Sequence, residues 1–128
     1  MSVSAEKTIL VVDDDEEVRE VLVAVLQAAG FNVLAVGLTE DALDVLRSTV
    51  PDLIVLDLVM PRGTMQGMEF LAAGREVEAW KTLPVIILSA YGDVVNRDIT
   101  TRLGATAVLS KPLADVELLP RTIRAALR

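Results

Sequence analysis

The chain contains no cysteine and no histidine. The first absence excludes disulfides and thiolate metal sites, and it fits a reducing cytoplasm. The second removes the commonest general base and the commonest zinc ligand. Positive charge is also scarce. Lys and Arg number 12 against 19 Asp and Glu, which leaves a net charge of −7. Phosphate-backbone binding needs clustered Lys and Arg, so no nucleic-acid surface is expected in this chain. A membrane span is not expected either. Residues 21–39 carry no charge, but Gln27, Gly30 and Asn32 interrupt the run. The segment reads as a buried helix, a turn at Gly30 and a strand. The first residues, MSVSAEKT, have no apolar core and do not read as a signal peptide.

What is present is apolar: 52% of 128 residues, enough for one folded domain over residues 1–128. Short Val-, Ile- and Leu-rich runs lie at residues 9–12, 33–36, 53–56, 85–88 and 107–109. They are continuous rather than alternating, as in strands covered on both faces. Helix-like segments separate them. In the first, Val18, Val21, Leu22, Val25 and Ala29 share one face. Others run over 39–47 with Thr39 as cap, 67–80, 93–103 after Asp93, and 115–127 after Asp115. Pro120 falls inside the last and should distort it. Five strand–helix units predict a parallel sheet with helices on both faces and right-handed crossovers.

Working sites of such sheets lie at the carboxyl ends of the strands. Asp13 and Asp14 follow the first run, Asp57 the third, Ser89 the fourth and Lys111 the fifth. Taken singly, each has an ordinary explanation. Acids after a strand cap the next helix and meet its positive end, which suits Asp15, Glu16 and Glu17. Ser89 alone would be a turn hydroxyl, and Lys111 a solvated strand end. Asp57 sits between Leu56 and Leu58-Val59-Met60, and a carboxylate in apolar surroundings needs a partner. Together, three converging carboxylates make an all-oxygen site for a hard cation such as Mg2+, with room for a phosphoryl oxygen. The cation offsets their repulsion. A hydroxyl and an ammonium opposite would take the remaining phosphoryl oxygens. A carboxylate can itself attack phosphorus.

ILVVDDD, LIVLDLVMP, PVIILSAYGD and LGATAVLSKP, in that order, resemble the response-regulator receiver domain of two-component signalling. The resemblance covers essentially the whole chain. It implies a doubly wound, flavodoxin-like (βα)5 fold with a five-stranded parallel sheet in the order 2-1-3-4-5. It implies Asp57 as phosphoacceptor, and Mg2+ on Asp13, Asp14, Asp57 and the Val59 backbone carbonyl. Ser89 and Lys111 would bind the phosphoryl group and switch, and Val59, Tyr91 and Val108 would modulate. The implied partners are a histidine kinase or histidine phosphotransfer protein, and a downstream effector or fused output domain. A homodimer formed on phosphorylation is a further implied partner, and the implied location is the cytoplasm. The implied role is a switch whose only chemistry is self-phosphorylation and dephosphorylation.

The chain departs from the family pattern in places. MPRGTMQG is two residues longer than usual after the phosphoacceptor, with Gln66 where an acid is customary. Val108 stands where an aromatic is usual. The alternatives are a haloacid-dehalogenase-type phosphatase using Asp13 and Asp15, a flavodoxin-like redox module, and a pseudo-receiver that binds without phosphorylation. The first leaves Asp57 unexplained, and the second is disfavoured by acids in the first loop, which would repel a flavin phosphate.

Overall fold

The computed structural model describes residues 7–57, 67–77, 80–89, 104–110 and 115–127, without the side chains of Met68 and Ser89. Within these residues lie β1 (Thr8–Val12), α1 (Glu16–Ala28), β2 (Asn32–Val36), α2 (Thr39–Ser48) and β3 (Leu53–Asp57). They continue with α3 (Gly67–Gly74), β4 (Val85–Ser89), β5 (Ala107–Ser110) and α4 (Leu118–Ala126). All strand pairings are parallel, and the order is β2-β1-β3-β4-β5. The expected helix over 93–103 lies outside the described residues.

The continuous apolar runs divide by parity, because successive strand side chains point to opposite faces. Leu10, Val12, Ile54, Leu56, Val85 and Ile87 face one layer, with Ala42 and Leu46 of α2 and Phe70 and Leu71 of α3. Ile9, Val11, Leu53, Val55, Ile86 and Leu88 face the other, with Leu22 and Leu26 of α1 and Leu119 and Ile123 of α4. Burial on both faces holds for β1, β3 and β4, whereas β2 at the sheet edge is partly exposed throughout. The order puts β2 at the edge of the sheet, with β1 as its one neighbour among the described strands, so its apolar run does not imply full burial.

The first helix is amphipathic rather than buried. Only Leu22 and Leu26 are fully covered, and Val21 is 54% exposed, outside the face expected for it. Its end is as expected. Gly30 takes φ 99°, its N–H donates to the Gln27 carbonyl at 3.0 Å, and the Phe31 N–H donates to Leu26 at 3.1 Å. This pair of bonds is the Schellman closure that a left-handed glycine permits.

Three boundaries differ from expectation. Thr39 is not the cap of α2 but its first residue. Leu38 occupies the cap position, and the buried Thr39 hydroxyl donates to Glu40 instead. α3 ends at Gly74 rather than near Trp80. Past it the chain winds off through Glu76 N–H to Ala73 and Val77 N–H to Gly74. α4 starts at Leu118, not after Asp115. A helix begun at Asp115 would demand an N–H from Pro120. Starting at Leu118 places Pro120 in the first turn, where N–H groups have no intrahelical partner, so no distortion is required. Asp115 closes the preceding turn by accepting from the Glu117 N–H at 3.0 Å.

Candidate functional site

β1 and β3 are neighbours in register, with Val12 opposite Leu56. Their next residues, Asp13 and Asp57, therefore emerge side by side at the carboxyl edge of the sheet. Asp57 is the last residue of β3 itself. Asp13 continues the ladder, its N–H donating to the Val36 carbonyl at 3.1 Å. Asp13 is 1% exposed and Asp57 6%. With the half-exposed Asp14, each offers a carboxylate oxygen, and these oxygens lie within 4.8 Å of one another.

Three carboxylates at that spacing, two of them almost fully removed from water, repel strongly unless a cation joins them. The donor set is oxygen only, which fits a hard divalent ion and leaves open positions for water or a phosphoryl oxygen. The residues present thus fit Mg2+.

The neighbouring acids do other work. Asp15 is exposed and caps α1, its Oδ1 accepting from the Val18 N–H at 3.1 Å. Its own N–H donates to Asp13 Oδ1 at 2.9 Å, which aims the Asp13 carboxylate. Glu16 and Glu17 fill the first turn, where the helix's positive end favours them. With Asp15 used as a cap, the pairing of Asp13 with Asp15 that a dehalogenase-type phosphatase needs is absent.

Ser89 ends β4, one step beyond Leu88, which stands opposite Asp57. Its backbone therefore sits on the strand next to the acids. Val108 lies in β5 opposite Ile87 and packs, partly buried, against the α2–α3 layer. Val59, Tyr91, Lys111 and the MPRGTMQG loop up to Gln66 lie outside the described residues.

Two participants escaped the reading of the sequence. The Arg19 guanidinium donates through Nη1 to the Asp13 carbonyl at 2.8 Å. Gly37, after β2, leaves the space this guanidinium occupies, since a Cβ there would stand 2.8 Å from Nη1. One signal was available: Arg19 is the only basic residue between Lys7 and Arg47.

Comparison with known proteins agrees with this geometry. The family model for the response regulator receiver domain matches residues 9–123. Over 120 residues the chain is 42% identical to the transcriptional regulatory protein CpxR of Escherichia coli K12, covering 94% of this chain and 49% of CpxR. It is 36% identical to an uncharacterised 14.6 kDa protein of Leptolyngbya boryana, covering 93% of this chain and 89% of that protein. The chemotaxis protein CheY4 of Vibrio cholerae superposes with a TM-score of 0.88 at 30% identity, covering 95% of this chain and 99% of CheY4. The chain belongs to the response regulator receiver domain family, a signalling module of two-component systems. It spans about half the length of CpxR. Among the described residues, no helix is long and apolar enough to cross a membrane.

Proposed function

We propose that residues 1–128 form one receiver domain that accepts a phosphoryl group on Asp57 from a histidine kinase or histidine phosphotransfer protein. The observation that carries this reading is the convergence of Asp13, Asp14 and Asp57 at adjoining strand ends. Asp13, Asp14, Asp57 and the Val59 carbonyl would hold Mg2+. Bound there, the ion would supply positive charge that offsets the acids and favours a phosphoryl group beside Asp57. A carboxylate oxygen of Asp57 forms a bond to phosphorus as the donor's phosphorus–nitrogen bond breaks, the electron pair leaving with the imidazole. Water later attacks phosphorus as the Asp57 oxygen–phosphorus bond breaks, which regenerates the carboxylate and releases inorganic phosphate. Ser89 and Lys111 take the remaining oxygens and carry the switch, with Tyr91, Val59 and Val108 tuning its lifetime.

The protein turns over no metabolite in this reading. Its output is altered affinity for a cytoplasmic effector, a fused output domain or a second copy of itself. Incubation with acetyl phosphate tests the proposal. Parent protein should be labelled on Asp57 only with Mg2+ present, and Asp57→Asn should not be labelled while keeping its circular dichroism spectrum. Labelling at Asp13 would move the chemistry to a different carboxylate and overturn the assignment.

A further inference from the structure

On the reading that Asp13 and Asp14 hold Mg2+, we infer that Arg19 is the positioning residue of that acid pair and that Gly37 exists to admit its guanidinium. Three of the bonds that hold Asp13 lie among the described residues. Its N–H donates to the Val36 carbonyl at 3.1 Å, its Oδ1 accepts from Asp15, and its carbonyl accepts from Arg19 Nη1 at 2.8 Å. Of these three the last has a charged donor, and such bonds are the stronger kind. The carbonyl it grips belongs to the peptide joining Asp13 to Asp14. That peptide is planar, so fixing the Asp13 oxygen also fixes the plane from which Asp14 departs. One guanidinium thereby orients the backbone of both acids.

Arg19 reaches this carbonyl from α1, where its own N–H is bonded to Asp15 at 2.9 Å. Its head is seated over the turn that follows β2. A Cβ on Gly37 would lie 2.8 Å from Nη1 and 3.5 Å from Cζ. Positive φ is confined to Gly30 and Gly104 among the described residues, so Gly37 is not kept for its backbone angles. What its missing side chain provides is room. Any side chain there would push the guanidinium, the free end of a flexible chain, off the Asp13 carbonyl at little cost to the fold.

The sign of the effect separates this role from two others. An arginine acting only as a nearby positive charge would weaken cation binding, so its removal would tighten the site. An arginine acting only on stability would leave Mg2+ affinity unchanged well below the melting temperature. Positioning predicts looser binding on removal. Loss of an outer support of a metal ligand typically costs 10–100-fold in affinity.

The test is calorimetric titration of Mg2+ into the unphosphorylated parent, Arg19→Ala and Gly37→Ala, with melting curves for each. Both variants should need at least about tenfold more Mg2+ for half-saturation, and Gly37→Ala should melt close to the parent. Parent affinity in either variant, or tighter binding by Arg19→Ala, overturns the inference. A parent that neither binds Mg2+ nor is labelled by acetyl phosphate would sink the receiver reading itself. A competent parent with parent-like variants removes only the role of Arg19.

Discussion

Asp57 is a residue whose cost to the metal-free fold follows from its placement. It is 6% exposed and shares its space with Asp13 and Asp14, all within 4.8 Å through their oxygens. Asn has nearly the same shape without the charge. Asp57→Asn should therefore stabilise the protein in chelator, by about 1–3 kcal/mol from relieved repulsion. Urea unfolding in excess chelator measures this, and an unchanged or lowered midpoint would contradict it. The identity of these acids was legible in the sequence, because Asp13 and Asp57 directly follow apolar runs, Asp14 comes next after Asp13, and strand ends are where such sheets work. Arg19 was not. Its bond runs to a backbone carbonyl only six residues back, which no side-chain pattern announces, and the space Gly37 leaves for it depends on β2 lying beside β1. On a helix pattern alone, Arg19 looks like an ordinary solvated cation.

At the scale of elements, starts and stops were legible where their causes are local. At Gly30 the end of α1 is closed by the Gly30 N–H bond to Gln27 and the Phe31 N–H bond to Leu26, three and five residues back. The end of α3 has a distant cause. Trp80 lies over Gly74, where a Cβ would come within 2.4 Å of ring atom Cε3. Its ring also meets Phe70 at 6.0 Å between centroids. Arg75 then secures the connection, donating to the carbonyls of Trp80 and Leu83 at 2.9 Å and of Gly104 at 3.2 Å. Burial lowers its pKa from the ordinary arginine value, which is so high that the group stays charged around neutral pH. Apolar periodicity through 67–80 shows none of this, so the expected helix overran. The packing makes a prediction. The cavity beside Gly74 is only about 10 Å3, so a methyl group there must displace Trp80. Gly74→Ala should lose about 1–3 kcal/mol despite the better helix propensity of Ala. It should also red-shift the tryptophan emission. A variant as stable as the parent with unshifted emission would mean that the ring repacks freely.

For the whole molecule, the strand order links the site to both layers. β1 and β3 lie beside each other at the centre and carry the acids, while their odd and even residues anchor opposite helical layers. The charge cluster is thus attached to strands that neither layer can lose separately. Flavodoxin-like order was expected from the resemblance, since β–α alternation alone fixes parallel strands but not their sequence across the sheet. Two consequences follow. Unfolding should be a single transition, seen at the same temperature by far-ultraviolet dichroism and by fluorescence of Trp80, which belongs to the α2–α3 layer alone. Mg2+ should move that transition upward, because an ion held only by converged acids binds the folded state. At ten times its dissociation constant, it stabilises by about 1.4 kcal/mol through mass action. In Asp57→Asn the shift should shrink sharply, although the metal-free variant starts from a higher midpoint. Separate fluorescence and dichroism midpoints would show that the layers unfold independently. A Mg2+ shift of parent size in Asp57→Asn would remove the Asp57 carboxylate from the set that holds the cation.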